Sequence, residues 1–187
     1  MILDEIPTAL GRTGAMFACE HYDIVPDMLV IGKGLGGGVF PLAALIVREH
    51  LDAAPDRALG HYTHEKSPVG CAAGLATLQV IEEEGLLARA EALGAQAITR
   101  LRAMADGDAR IRDVRGIGLL LGLELAPEEG RAVAERAERL MYACLARGLS
   151  FKISMGRVAT LAPALTIEEQ ELEQGLDILG QCLAECV

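Results

Sequence analysis

A short apolar run followed by a lysine among glycines constrains the fold of this chain more than any other feature. Met28–Ile31 is entirely apolar, and Lys33 comes two residues later within Gly-Lys-Gly-Leu-Gly-Gly-Gly. The run predicts a buried β-strand and the glycines predict a tight turn, at which a planar group could approach the backbone. A lysine there can form a Schiff base with an aldehyde once its pKa is lowered. A solvated lysine in a glycine loop is the alternative, and this segment by itself favours that alternative.

A second predicted strand ends in an acidic pair. Residues 1–3 are apolar, and Asp4 and Glu5 follow them directly. A carboxylate at the C-terminal end of a strand lies where open α/β sheets bind ligands. An acid that caps an ordinary turn is the alternative. Because the chain begins inside this strand, with no turn or cap before it, we expect it to be the C-terminal part of a longer protein.

The first half continues with another strand and two helices. Residues 41–47 are uniformly apolar, and strands of this kind suit a sheet that is covered on both faces. Residues 15–22 predict one or two helical turns. Ser67 and Pro68 predict the N-cap and first residue of a helix that runs to Gly85. An amphipathic pattern predicts a second helix from residue 86 to about residue 104.

The second half predicts a small antiparallel sheet with helices on one face. The expected strands are residues 111–118, 119–125, 149–153 and 158–161. One helix is expected from Pro127 to about Arg147. A capping box of Thr166 and Glu169 is expected to start the last helix. The joint near Gly85 predicts two domains, residues 1–85 and 86–187.

Composition excludes several classes of partner. The net charge of −10 argues against nucleic acid and against anionic membrane surfaces. The five cysteines are scattered without a Cys-x-x-Cys motif, which favours reduced thiols in the cytoplasm over disulfides or zinc. His61 and His64 have no matching cluster of acids or cysteines, so no metal site is expected.

Several segments together resemble one enzyme family. They are residues 3–14 (Leu-Asp-Glu-Ile-Pro-Thr-Ala-Leu-Gly-Arg-Thr-Gly), 17–21 (Phe-Ala-Cys-Glu-His), 32–38 with Pro41-Leu42, 63–73 and 114–125. This order resembles the class III, fold-type I pyridoxal-phosphate enzymes, which are mostly aminotransferases. The resemblance implies an α/β fold: residues 1–85 as the C-terminal part of a large cofactor-binding domain with a mixed, mostly parallel sheet, and residues 86–187 as a small α+β domain.

The resemblance also implies roles for four residues. Lys33 would form the Schiff base with pyridoxal 5'-phosphate and shuttle the proton, and Asp4 would pair with the protonated pyridine nitrogen. Ile6 would pack on the cofactor ring. Thr63 would donate its hydroxyl to the cofactor phosphate of a neighbouring subunit, which implies a homodimer. The expected reaction is transamination between a small-molecule amino donor and an oxo acceptor.

Two positions depart from the family pattern. Pro7 stands where many members carry a glutamine that contacts the cofactor. Thr160 stands where an arginine commonly binds the substrate's α-carboxylate, and Arg157 is three residues away. Both departures leave open a lyase that eliminates ammonia or phosphate from an amino-alcohol phosphate or phosphonate, and a racemase or epimerase. An inactive, truncated fragment is a further alternative, since about half of the cofactor pocket is expected outside this sequence.

Overall fold

The computed structural model describes residues 1–54, 56–57, 62–127 and 132–186. The chain divides into two compact units, Met1–Leu87 and Ala88–Val187. This division lies two residues from the boundary predicted at residue 85.

The first unit contains a mixed three-stranded sheet. Its strands β1 (Ile2–Asp4), β2 (Met28–Ile31) and β3 (Ala44–Val47) lie in the order β1-β2-β3. β1 runs parallel to β2, with Asp4 opposite Val30, and β3 runs antiparallel to β2. Three 3₁₀ turns lie between and after the strands, at Ala18–Tyr22, Lys33–Gly36 and Glu49–Leu51. The first of these turns confirms the helical turns predicted within residues 15–22.

The described residues alone do not cover both faces of this sheet, so the expectation of a sheet covered on both faces stays a prediction. Leu29 and Ile31 of β2 are buried, each 6% exposed, but Ile2 of β1 is 65% exposed. All four residues of β3 are exposed. Within the described residues, helix α1 (Pro68–Glu83) lies against the glycine turn Lys33–Gly36.

Two glycines of α1 allow this close approach to the glycine turn. A Cβ at Gly74 would lie 2.8 Å from Cδ2 of Leu42, and a Cβ at Gly70 would lie 3.0 Å from Cε1 of Phe40. A larger residue at either position would require the Leu42 or Phe40 side chain to move. Ser67 and Pro68 occupy the predicted N-cap and first helical positions, but the Ser67 side chain makes no capping hydrogen bond.

The second unit is a four-stranded antiparallel sheet with helices on one face, as predicted. Its strands lie in the order β4-β5-β7-β6. The buried core joins leucines of the sheet to leucines of the helices, for example Leu121 and Leu123 to Leu101, Leu140 and Leu179. The elements are α2 (Leu86–Ala105, which begins at the end of the first unit), β4 (Ile111–Ile117), β5 (Leu120–Leu125), α3 (Val133–Leu145), β6 (Lys152–Ser154), β7 (Val158–Leu161) and α4 (Glu169–Cys186).

Three predicted boundaries in this unit need correction. Pro127 is not helical, α3 is described from Val133, and residues 128–131 lie outside the described residues. β6 begins at Lys152 rather than at residue 149. Thr166 does not cap α4, because the helix begins three residues later, at Glu169.

The last helix is capped two residues later than predicted. α4 begins at Glu169, and a carboxylate oxygen of Glu171 accepts a hydrogen bond from the backbone N–H of Glu168 at 3.1 Å. This hydrogen bond satisfies one of the backbone N–H groups that have no partner within the helix at its N-terminus. None of the helices in the described part of the chain is both long and apolar enough to cross a membrane.

Candidate functional site

Three of the four predicted site residues meet at one edge of the first sheet. Asp4 is the last residue of β1, and Lys33 comes two residues after β2. Because β1 and β2 are parallel neighbours, their carboxyl ends lie at the same edge. Ile6 lies against the residue before the lysine: its Cγ1 and Cγ2 are 3.6 and 3.7 Å from the position that a Cβ would take at Gly32.

The Asp4 carboxylate is oriented by the backbone and open on one side. Its Oδ1 accepts a hydrogen bond from the N–H of Ile6 at 3.1 Å. Its Oδ2 accepts no hydrogen bond from any residue that the structure describes, and the side chain is exposed. One oxygen is thus held by the protein while the other remains available to a cation.

Lys33 has a backbone conformation that lysine rarely adopts. Its φ is +47°, in the left-handed region, and it opens the 3₁₀ turn Lys33–Gly36. Such a conformation costs a residue with a side chain on the order of 1 kcal/mol or more, and it concentrates at functional sites. Within the described ranges, no hydrogen bond or ion pair engages the exposed Lys33 amine.

The far end of the glycine turn is fixed by α1. Gly37 has a φ of +64°, and a Cβ there would lie 2.8 Å from Oγ1 of Thr77. The Thr77 hydroxyl in turn donates a hydrogen bond to the carbonyl oxygen of Ala73, one helical turn earlier. Glycine at position 37 therefore satisfies both the turn conformation and the contact with the helix.

Glu5 is a site residue whose role the sequence analysis did not anticipate. It is only 4% exposed, and its carboxylate accepts hydrogen bonds from the backbone N–H groups of Ala18 at 2.6 Å and Cys19 at 2.8 Å. Its own N–H donates to the carbonyl oxygen of Val30 at 2.9 Å, which extends the β1–β2 ladder. Alternation along a strand was the available signal: if Asp4 faces the ligand, Glu5 must face inward.

The loop fastened by Glu5 contains further buried polar groups. Burial raises the pKa of the Cys19 thiol, and a hydrogen bond to Glu5 raises it further. Burial also lowers the pKa of the Arg12 guanidinium. Thr13 is 3% exposed, and its hydroxyl lies 3.1 Å from Nε2 of His21. The loop is therefore held by specific polar contacts.

Thr63, the fourth predicted residue, is exposed in a turn before α1. It makes no hydrogen bond with the residues that the structure describes, and its role stays a prediction. His61 lies outside the described residues. Within the described ranges, no group of three or more histidine, cysteine, aspartate or glutamate side chains is arranged to hold a metal ion.

Thr160, one of the two residues that depart from the family pattern, lies on β7 of the second sheet, and Arg157 directly precedes that strand. Thr160 donates its hydroxyl to Oγ of Ser154 at 2.9 Å. Arg157 lies beside a buried carboxylate, with its Nε 3.1 Å from Oε1 of Glu124. The side chain at position 160 is therefore a neutral hydroxyl, and the nearby arginine is engaged with Glu124.

The profile of the aminotransferase class-III family matches residues 1–183. The chain belongs to the class III aminotransferase family. Among solved structures, the acetylornithine aminotransferase of Elizabethkingia anophelis superimposes with a TM-score of 0.89 at 32% identity, over 98% of this chain and 45% of that chain. This confirms the predicted fold class, a part of the fold-type I architecture of the pyridoxal-phosphate enzymes.

Relatives of this class III chain differ in their reactions. The (R)-1-hydroxy-2-aminoethylphosphonate ammonia-lyase of Vibrio splendidus is 47% identical over 99% of this chain and 39% of that protein. The leucine/methionine racemase of Thermococcus litoralis is 39% identical over 99% of this chain and 42% of that protein. The acetylornithine aminotransferase of Methanothermobacter thermautotrophicus is 34% identical over 99% of this chain and 45% of that protein. The chain spans less than half the length of each.

Class III aminotransferases, such as the acetylornithine and ornithine enzymes, depend on pyridoxal 5'-phosphate. The donor set at the edge of the first sheet fits this cofactor. Asp4 offers a carboxylate oxygen suited to a protonated ring nitrogen, and Lys33 offers an amine suited to an aldehyde. Ile6 offers an apolar side chain beside both.

Proposed function

We propose that this chain provides the cofactor-binding lysine and the ring-nitrogen carboxylate of a class III enzyme that transfers an amino group from a small-molecule donor to an oxo acceptor. One observation carries the proposal: Asp4 ends β1 and Lys33 follows the adjacent parallel strand β2 at the same edge, and Ile6 packs against Gly32. A solvated lysine in a flexible loop would not need the neighbouring oriented carboxylate.

When bound, pyridoxal phosphate supplies an aldehyde that condenses with amines and a cationic ring that accepts electrons. Asp4 would hold the ring nitrogen in its protonated form through its carboxylate. Lys33 would hold the cofactor through its Nζ, and its amine would serve as the group that moves the proton at the substrate's Cα. Ile6 covers the ring face and excludes water from it. These roles of Asp4, Ile6 and Lys33 follow the chemistry of their side chains.

We further propose that the enzyme is a cytoplasmic homodimer in which Thr63 acts on the partner's cofactor. An exposed Thr63 without a hydrogen bond to the described residues supports a role toward another subunit. The net charge of −10 gives no support for a nucleic-acid partner. Size-exclusion chromatography with light scattering tests the dimer, and a monomer at micromolar concentration would contradict it.

A second candidate reaction is elimination of ammonia from an amino-alcohol phosphonate or phosphate. Two observations favour it: the 47% identity with an ammonia-lyase, and the neutral Thr160 hydrogen-bonded to Ser154. A hydroxyl cannot neutralise a substrate carboxylate as an arginine would. Racemisation is supported in the same way by the 39% identity with a racemase.

The direct test of the cofactor site uses borohydride reduction. Purified protein is incubated with pyridoxal phosphate, reduced, digested and mapped by mass spectrometry. The chain has three lysines, Lys33, Lys66 and Lys152, so the site of modification is unambiguous. We expect the adduct on Lys33. Lys66 is the matched control, because it is also exposed and has a positive φ of 57°. Labelling of Lys66 and Lys152 at the same level would contradict the proposal.

The reaction is then assigned by its products. Transamination needs an oxo acceptor and yields a new amine, elimination releases ammonia without an acceptor, and racemisation changes only the stereochemistry. We expect turnover that depends on the oxo acceptor and is abolished by Lys33→Ala. Ammonia release without an acceptor would replace transamination by the lyase reaction. A folded protein that labels on no lysine would favour the inactive-fragment alternative.

A further inference from the structure

The backbone of Lys33 is held by the residues that follow it in the chain. Lys33 combines a left-handed φ of +47° with an exposed side chain. Such a conformation persists only where surrounding contacts impose it. The contacts that impose it lie in the 3₁₀ turn Lys33–Gly36 and in the residues packed on that turn.

Backbone hydrogen bonds close the turn from within. The N–H of Leu35 donates to the carbonyl oxygen of Gly32 at 3.1 Å, and this bond spans Lys33. The N–H of Gly37 donates to the carbonyl oxygen of Gly34 at 2.9 Å. Leu35 is only 6% exposed, so the turn buries Leu35 and leaves Lys33 on its exposed side. The position of Lys33 therefore follows the positions of Leu35 and Gly37.

Helix α1 contacts the turn at both of these positions through one face. Gly74 and Thr77 are three residues apart, so they are neighbours on the helix surface. A Cβ at Gly74 would lie 3.5 Å from the carbonyl oxygen of Leu35, so the helix approaches the backbone of the turn itself. A Cβ at Gly37 would lie 2.8 Å from Oγ1 of Thr77. The two ends of the turn are thus seated on the same face of α1.

The Thr77 hydroxyl is itself fixed in place. It donates a hydrogen bond to the carbonyl oxygen of Ala73 at 2.8 Å, the contact that a helical threonine makes with the preceding turn. This bond holds Oγ1 against Gly37. A methyl group at the place of Oγ1 would be larger and could not donate to Ala73, so it would crowd Gly37 and displace the end of the turn.

We infer that Thr77 is a positioning residue for Lys33. Its Oγ1 seats Gly37, and the close approach at Gly74 seats the turn at Leu35. Lys33 thereby keeps its left-handed backbone at the end of β2. The inference rests on the proposed role of Lys33 as the cofactor-binding lysine. An amine that bonds to a bound aldehyde has to be placed accurately, so a displaced turn lowers adduct formation even in a folded protein.

Hydrogen exchange of the cofactor-free protein is the first readout. The N–H groups of Leu35, Gly37, Val39 and Phe40 are hydrogen-bonded within or next to the turn. We expect Thr77→Val to accelerate amide exchange in the peptide that covers residues 32–40 by about tenfold, as local opening does.

Borohydride labelling with pyridoxal phosphate is the second readout. Lys152 lies in the second unit and serves as the internal reference within each digest. We expect Thr77→Val to lower the ratio of the Lys33 adduct to the Lys152 adduct by about tenfold. Wild-type exchange over residues 32–40 together with wild-type labelling of Lys33 would overturn the positioning role.

Thr99→Val is the matched control for this substitution. Thr99 of α2 donates the same kind of hydrogen bond, to the carbonyl oxygen of Ala95 at 2.8 Å, but it is exposed and belongs to the second unit. Thr99→Val should match the wild type in both readouts.

Thr77→Ser separates the hydroxyl from general effects on folding. Serine keeps the oxygen and its proton, so Thr77→Ser should recover most of the wild-type exchange and labelling. A serine variant as perturbed as the valine variant would refute the role of Oγ1. Faster exchange that is spread evenly over all peptides of Thr77→Val would show a loss of global stability, and it would refute the positioning role as well.

Failure here is distinguishable from failure of the proposed function. A wild-type protein that labels Lys33 no more than Lys152 refutes the cofactor role, and exchange without cofactor still decides whether Thr77 holds the turn. A protein that labels on Lys33 and is indifferent to Thr77→Val keeps the cofactor role and refutes the positioning role.

Discussion

The carboxylate of Glu5 accepts a hydrogen bond from the backbone N–H of Cys19 at 2.8 Å, across 14 positions of the chain. The N–H of Ala18 donates to the same carboxylate at 2.6 Å, and the hydroxyl of Thr8 donates at 3.3 Å. A single buried side chain thus closes the loop that follows Asp4. The orientation of the strand end that carries Asp4 depends on this contact.

Replacement of Glu5 should therefore destabilise the protein. Glu5→Ala leaves two backbone N–H groups without their acceptor, and we expect a loss of about 3 kcal/mol in the free energy of unfolding. Glu5→Gln keeps one acceptor oxygen and should lose about half as much. Urea denaturation followed by circular dichroism measures both values. A Glu5→Ala protein as stable as the wild type would contradict the role of this carboxylate.

The left-handed backbone of Lys33 gives a second prediction. Lys33→Gly and Lys33→Ala both remove the amine, but only glycine adopts a φ of +47° without strain. We expect the Lys33→Gly protein to be more stable than the Lys33→Ala protein by about 1 kcal/mol. Urea denaturation of the two variants without cofactor measures the difference. Equal stabilities would mean that position 33 carries no backbone strain.

Gly94 of α2 gives a third prediction, in the second unit. A Cβ at this position would overlap the backbone of Gly118, including its carbonyl oxygen, at the turn between β4 and β5. We expect Gly94→Ala to reduce the free energy of unfolding by about 2–3 kcal/mol, although alanine is the better helix former.

Gly180 of α4 is the matched control for this substitution. A Cβ there would lie 3.5 Å from Cε of Met104, an ordinary contact distance. Gly180→Ala should therefore stabilise the protein by about 0.5–1 kcal/mol. Thermal and urea unfolding of both variants check the pair. If Gly94→Ala stabilised the protein as Gly180→Ala does, the close packing of α2 on the turn at Gly118 would be contradicted.

The Glu124 carboxyl is expected to make the free energy of unfolding depend on pH in the acid range. Its hydrogen bond from Arg115, with the charges of Arg157 and Arg112, lowers the pKa of Glu124 below its usual value of 4.5. A carboxyl whose pKa is lower in the folded state stabilises that state above the unfolded pKa, and this contribution is lost as the pH falls through the folded pKa.

The Glu124→Gln variant isolates this contribution. We expect it to be less stable than the wild type at neutral pH, and the difference should shrink as the pH falls below 4.5. Urea denaturation at a series of pH values from neutral to strongly acidic measures this. A difference that stays constant over the whole series would show that the Glu124 carboxylate is not held by its arginines.

The local sequence predicted the elements of the candidate site well. The apolar run before Lys33 indicated β2, the acidic pair indicated the end of β1, and Ser67 with Pro68 marked the start of α1. These signals are local, because strand length, glycine turns and helix N-termini are encoded within a few neighbouring residues. The predictions that failed concerned helix caps, which depend on what packs against each element.

What only the tertiary structure decided is which distant residues share one surface. The sequence named Asp4 and Lys33 as candidates, but the parallel pairing of β1 with β2 is what puts their strand ends at the same edge. In the same way, Arg115 of β4 and Lys152 of β6 lie on the same face of one sheet because β5 and β7 join their strands. Local chemistry determines the turns and helices of this chain, whereas strand order follows from burying the leucines of the whole unit in one core.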